Sequence, residues 1–188
     1  MVSREQLEQL KSIDELSDRL EAAARLTNGN IVEIGGGEGI NTIRFLTVVR
    51  DRDKIVIVVD PFEAIDGADE SYFTPYTIDR FADTIRKSAP SERMTLIKKA
   101  SQDVSAKREL HKFTPIGFIF IDGLQDKESV MSDIQLAVSL NTEIICIDDY
   151  DRLTESSQVP VAVDWFRQRL VNYEFVYNGQ REVYFLRK

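Results

Sequence analysis

Val32-Glu33-Ile34-Gly35-Gly36-Gly37-Glu38-Gly39 is the stretch on which the reading of the fold turns. A short apolar strand run, Ile31–Ile34, breaks into glycines, and a helical pattern, Ile40–Val49, follows at once. Glycines let a chain turn sharply from strand into helix and bring its backbone N–H groups close to a ligand. The spacing excludes two phosphate-binding patterns. A dinucleotide fingerprint begun at Gly35 and Gly37 needs its third glycine where Ile40 stands, and a P-loop needs a Gly-Lys-Ser/Thr that does not follow. What remains is Glu33-x-Gly35-x-Gly37-x-Gly39, with an acid just ahead of the glycines.

Outward from this loop the pattern alternates. Ile55–Val59 is an unbroken run of Ile and Val, as in a strand buried on both faces. Met94–Ile97, Ile116–Ile121 and Glu143–Ile147 repeat that character. Helical stretches lie between them around Ile78–Arg86, Val104–His111 and Val130–Leu140. Strands alternating with helices predict a doubly wound α/β domain, a parallel sheet covered on both faces. Ahead of the loop, Leu7, Leu10, Ile13, Leu16, Leu20 and Ala24 form one apolar stripe, so residues 1–28 read as an N-terminal helical segment of one helix or two. Ser3 with Gln6 and Ser12 with Glu15 are candidate capping boxes, and Asn28-Gly29 a left-handed stop. At the other end Val159–Val171 reads as a helix, with Pro160 in its first turn. Tyr173–Tyr177 and Glu182–Leu186 flank Asn178-Gly179, a strong hairpin signal, so the sheet should end antiparallel.

The chain of 188 residues is the size of a single domain, with no linker or repeat. Its 24 Lys and Arg against 32 Asp and Glu leave a net charge of −8, which argues against a nucleic-acid-coating surface. With one cysteine, Cys146, and one histidine, His111, it can build neither an internal disulfide nor a structural zinc site. Any metal must be held by oxygen. The polar start of the sequence and the short apolar runs predict neither a signal peptide nor a membrane span, hence a cytoplasmic protein.

Asp60 ends the second strand, 21 residues past Gly39. An acid there can take both hydroxyls of a ribose, as in dinucleotide folds. A carboxylate beside the glycine loop suits a ligand with positive charge near its amino-acid end, and together these features point to S-adenosylmethionine. From Ile31 to Leu186 the chain resembles the class I S-adenosylmethionine-dependent methyltransferases. The resemblance implies a Rossmann-like sheet of seven strands with the last antiparallel. It implies that Glu33, Gly35, Gly37 and Gly39 line the amino-acid and sugar portions of the cofactor, that Asp60 binds its ribose, and that Ser101 lies on the adenine side. Ser101 also reads as the N-cap of the following helix.

Two further strand ends carry carboxylates: Asp122-Gly123 after the fourth and Asp148-Asp149-Tyr150-Asp151 after the fifth. Ligands of open α/β sheets bind at the carboxyl ends of strands, so Asp122, Asp148 and Asp149 should converge near the cofactor. Crowded carboxylates repel unless a cation sits among them, and oxygen ligands suit Mg²⁺ or Ca²⁺. This arrangement resembles the macrocin-type sugar O-methyltransferases, which have Asp-Gly-Asp at the fourth strand and Asp-Asp-Tyr at the fifth. The resemblance implies Asp122 as a cofactor contact and Asp122, Asp148 and Asp149 as ligands of a divalent metal. Val159–Asp164 resembles the family's helix after the fifth strand.

The chain departs from that pattern at Leu124-Gln125, where the family carries its candidate general base, and at Asn141-Thr142, where it carries Gly-Gly. Three readings follow. One is O-methylation of a small hydroxylated acceptor, with the proton going to water, Asp126 or Asp151. Another is a cofactor-binding protein without transfer. The third is an aminopropyltransferase, which lacks here the acids and histidine such enzymes carry after the loop. Homo-oligomerisation is left open. His111 reads as a helix-end cation, Cys146 as core, and Trp165 and Phe166 as packing residues. The insert Pro61–Thr77, with Phe62, Tyr72, Phe73 and Tyr76, suits a lid over the substrate or a surface loop.

Overall fold

A computed structural model describes residues 3–50, 52–63, 78–88, 91–151, 157–177 and 181–188. Two helices, α1 (Arg4–Lys11) and α2 (Leu16–Leu26), precede β1 (Asn30–Ile34) and α3 (Ile40–Val49). Then come β2 (Val56–Val59), α4 (Ile78–Ser88), β3 (Met94–Ile97), α5 (Val104–Leu110) and β4 (Ile116–Ile121). The chain ends with α6 (Lys127–Ser139), β5 (Ile144–Ile147), α7 (Val159–Arg167), β6 (Tyr173–Tyr177) and β7 (Val183–Arg187). The seven strands form one sheet in the order β3-β2-β1-β4-β5-β7-β6. β1 to β5 are parallel, and β7 enters antiparallel between β5 and β6. The Rossmann-like reading holds, including the antiparallel end. Residues 178 to 180, with the Asn-Gly turn, and residues 64 to 77 of the expected lid lie outside the described residues.

Alternation along the strands builds two cores. Val32, Ile34, Ile119, Ile121, Ile145 and Ile147 face α5, α6 and α7. Ile31, Val58, Phe118, Phe120 and Cys146 face α2, α3 and α4. The Phe45 ring of α3 tilts onto Phe118 and Phe120, with centroids 5.6 and 6.0 Å away. Cys146 is buried within this second core. No described helix is long and apolar enough to cross a membrane.

Three local expectations need correction. The Ser3–Gln6 capping box forms, but Ser12 closes α1, bonding back to the carbonyl of Gln9, and α2 follows its N-cap Glu15 without a side-chain cap. Gly29 is not left-handed; α2 ends at Thr27 in extended conformation. Gly29 is required by close approach, since a Cβ there would fall 2.6 Å from the Pro115 carbonyl oxygen and against the Gly117 nitrogen. The late helix stops at Arg167, short of Val171, and Trp165 of its last turn is partly exposed under the Arg169 guanidinium, 4.0 Å from the ring centre. Phe166, its neighbour, is buried as expected.

Candidate functional site

Because β1 continues to β2 and β3 on one side while β4 opens the other, the strand order reverses between β1 and β4. The carboxyl ends there are the natural crevice of an open α/β sheet. The glycine loop fills it. Gly35, Gly37 and Gly39 all take positive φ, at 91°, 50° and 83°. At Gly35 a Cβ would fall on the carbonyl of Asp122, 2.6 Å from its carbon, so β1 and β4 meet there only through a glycine. At Gly37, by contrast, a Cβ would meet nothing within 4 Å among the described residues. Gly39 is the left-handed N-cap of α3, pointing the first amides of that helix at the loop.

Asp60 rivets this loop to the end of β2. Its Oδ2 accepts the Gly37 N–H at 3.1 Å and its Oδ1 the Phe62 N–H at 2.6 Å. Each carboxylate oxygen keeps lone-pair capacity for a further donor such as a hydroxyl. Glu33 lies beneath the loop. It is wholly buried and accepts a hydrogen bond from the Thr42 hydroxyl of α3. Burial pushes its carboxyl well above the usual range, against the pull of Thr42, and the charges of Asp122 and Asp60 add to the push.

Ser101 follows β3 but does not cap α5; Asp103 holds that position. Ser101 instead hydrogen-bonds Asp133 of α6, which also receives Gln102 Nε2 at 3.3 and 3.4 Å. Asp133 is fully buried, and that burial lifts its carboxyl to about 7. His111 closes the C-terminal end of α5 as expected.

The acids of the other strand ends converge as expected. Asp122, Asp148 and Asp149 each offer an oxygen within 4.8 Å of the others. Adjacent residues of a strand point to opposite faces. Asp149 escapes that rule through a positive φ of 56°, which aspartate tolerates better than most residues. What sequence reading missed is the cation among them. Arg181 donates to both oxygens of Asp148, from Nε at 2.7 Å and Nη2 at 2.6 Å, and its Nε lies 2.7 Å from Asp149 Oδ1. Gln125 donates to Asp149 Oδ2. Burial still pushes the Asp148 carboxyl up, with Arg181 opposing.

The hairpin register contains the signal for Arg181. Ile147 pairs with Val183, so residues just before β7 lie beyond the end of β5, beside the acids. The Tyr150 N–H bonds the Arg181 carbonyl at 2.7 Å and fixes that approach. In kind, three carboxylates suit a divalent cation. In this arrangement both oxygens of Asp148 and Oδ2 of Asp149 accept hydrogen bonds and Asp149 Oδ1 lies against the Arg181 guanidinium, so a divalent metal would be repelled by the cation already seated among these acids. The remaining acids considered for proton transfer differ. Asp126 is the N-cap of α6, accepting the Ser129 N–H at 2.9 Å, whereas Asp151 is exposed. Leu124 is half-buried in the loop after β4.

No curated protein matches the sequence. Among solved structures, the fold is similar to the O-methyltransferase NovP, at TM-score 0.69 and 16% identity over 92% of this chain and 79% of that one. It is similar to CalS11, a TDP-rhamnose 3'-O-methyltransferase of calicheamicin biosynthesis, at TM-score 0.59 and 17% identity over 99% and 81%. The O-methyltransferase TomG of Streptomyces achromogenes, solved with S-adenosylmethionine, aligns at TM-score 0.64 and 12% identity over 99% and 91%. The family model described as methyltransferase domain matches residues 32–159, from the glycine loop to the start of α7, and the chain belongs to that family.

Proposed function

We propose that the protein binds S-adenosylmethionine at the glycine loop and transfers its methyl group to an oxygen of a small hydroxylated, sugar-like molecule. The observation that carries this reading is the joint geometry of Gly37 and Asp60. A left-handed glycine with room above it is bonded to a carboxylate at the end of the neighbouring strand. Such a pair can accept ribose hydroxyls and let a ligand lie against the backbone. S-adenosylmethionine supplies the electrophilic methyl on its sulfonium.

The chain's part is positioning. The loop and Asp60 fix the cofactor, while the β4 and β5 ends, with Asp122, orient the acceptor oxygen for in-line approach. The net charge of −8 supports a small acceptor over a nucleic acid. The lone buried Cys146 suits a reducing, cytoplasmic setting. Magnesium assistance, implied by the resemblance, requires Arg181 to leave Asp148 and Asp149.

Calorimetric titration of S-adenosylmethionine, once with Mg²⁺ and once with EDTA, tests the reading: saturable heat at one site supports it, and its absence in both overturns it. A second reading, binding without transfer, is favoured by Leu124 and Gln125 at the positions of the expected base. Release of S-adenosylhomocysteine with any hydroxylated acceptor decides against that second reading.

A further inference from the structure

We propose that Arg181 is the resident cation of the acidic strand ends, and that it takes the place of a divalent metal in this chain. The inference rests on the methyltransferase reading only in treating these strand ends as the reaction cleft. Three carboxylates brought within 4.8 Å of one another need positive charge. A planar guanidinium meets that need with directional bonds: it grips Asp148 with two donors at 2.7 and 2.6 Å and reaches Asp149 at 2.7 Å. Asp148 and Asp149 are almost fully buried, so water cannot compensate them if the arginine leaves. Arg181 is tied in place through its own backbone, because its carbonyl accepts the Tyr150 N–H one residue past Asp149. Gln125, which stands beside Leu124 where the resemblance expects an acid, completes the shell with an uncharged donor on Asp149. One arginine and one amide thus stand in for metal coordination: they offset one of the two charges and hold both carboxylates in one orientation. A metal entering this cluster would meet a fixed positive charge and would have to displace Arg181 from the oxygens it needs. Arg181 acts through those carboxylates and is a positioning residue.

The test is titration of Mn²⁺ into the full-length protein at low ionic strength, with free Mn²⁺ read by electron paramagnetic resonance. The wild-type chain should leave Mn²⁺ free into the millimolar range. Arg181→Met should take up one equivalent at least a hundredfold more tightly, and adding Asp148→Asn should abolish that uptake. One tight equivalent on the wild-type chain, lost in Asp148→Asn, would overturn the proposal. A folded Arg181→Met that binds no Mn²⁺ would overturn it as well. If circular dichroism shows that Arg181→Met does not fold, Arg181→Gln, which keeps donors without charge, replaces it, and the wild-type titration decides by itself. Titrating S-adenosylmethionine into the same samples in EDTA reports on the cofactor separately. Failure there sinks the methyltransferase reading and leaves the arginine assignment standing, while failure of the Mn²⁺ experiment does the converse.

Discussion

Gly35 and Gly37 stand two residues apart with positive φ, yet alanine should act differently at the two. At Gly37 a methyl group has no described neighbour within 4 Å, so Gly37→Ala costs only the left-handed backbone, about 1–2 kcal/mol. In a domain of this size that lowers the melting temperature by roughly 2–8 °C. The space it enters is where the proposed cofactor lies, so affinity for S-adenosylmethionine should fall at least about tenfold, or ~1.4 kcal/mol. At Gly35 the methyl meets the Asp122 carbonyl carbon at 2.6 Å, backbone against backbone. Strain and overpacking together cost roughly 2–5 kcal/mol, because β1 and β4 must separate at their ends. Gly35→Ala should therefore melt on the order of 10 °C lower. Thermal melts followed by circular dichroism, paired with cofactor calorimetry, separate the two effects. A stable Gly37→Ala that binds S-adenosylmethionine as tightly as wild type would refute the assignment of that space to the cofactor.

Asp60→Asn leaves one backbone N–H of the Gly37 and Phe62 pair without an acceptor, which costs about 1–3 kcal/mol. It should lower both the melting point and cofactor affinity; unchanged calorimetry would argue against Asp60 as ribose ligand. Asp133 makes stability depend on pH: its folded value of about 7 lies above the ordinary 3.8, so the folded chain holds that proton more tightly. Its contribution is complete below ~4 and is lost as pH rises through ~7, on the order of 4 kcal/mol in total. Urea melts at pH 5 and 8 should show roughly two thirds of that loss in the wild type and much less in Asp133→Asn. Arg19 and Glu182 form a fully buried ion pair between α2 and the start of β7. Arg19→Met should cost about 3–5 kcal/mol by stranding Glu182, and the Arg19→Met/Glu182→Met pair should recover most of it. A single mutant within about 1 kcal/mol of wild type contradicts that account.

The layered α/β architecture was legible along the chain, because that information is local. Apolar runs mark β4 at Ile116–Ile121 and β3 at Met94–Ile97 to the residue, and four glycines in five positions mark the turn into α3. The convergence of Asp122, Asp148 and Asp149 was legible for the same reason, since all three lie within two residues of the end of a buried parallel strand. Side-chain partners were not legible in the same way. Only the sheet order brings Arg181 to acids 32 and 33 positions earlier, as the separation of Asp149, Asp148 and Arg181 in the chain shows. Only the approach of α6 to the segment between β3 and α5 turns Ser101 from a helix cap into a partner of a buried carboxyl. The need for glycine at residue 29 comes from the Pro115 to Gly117 backbone crossing beside it, and the burial of Glu33 from α3 lying over β1. Backbone propensity acts within a few residues and survives in the sequence as pattern. Which charge neutralises which is decided where distant segments exclude water together, and there burial makes a missing partner costly.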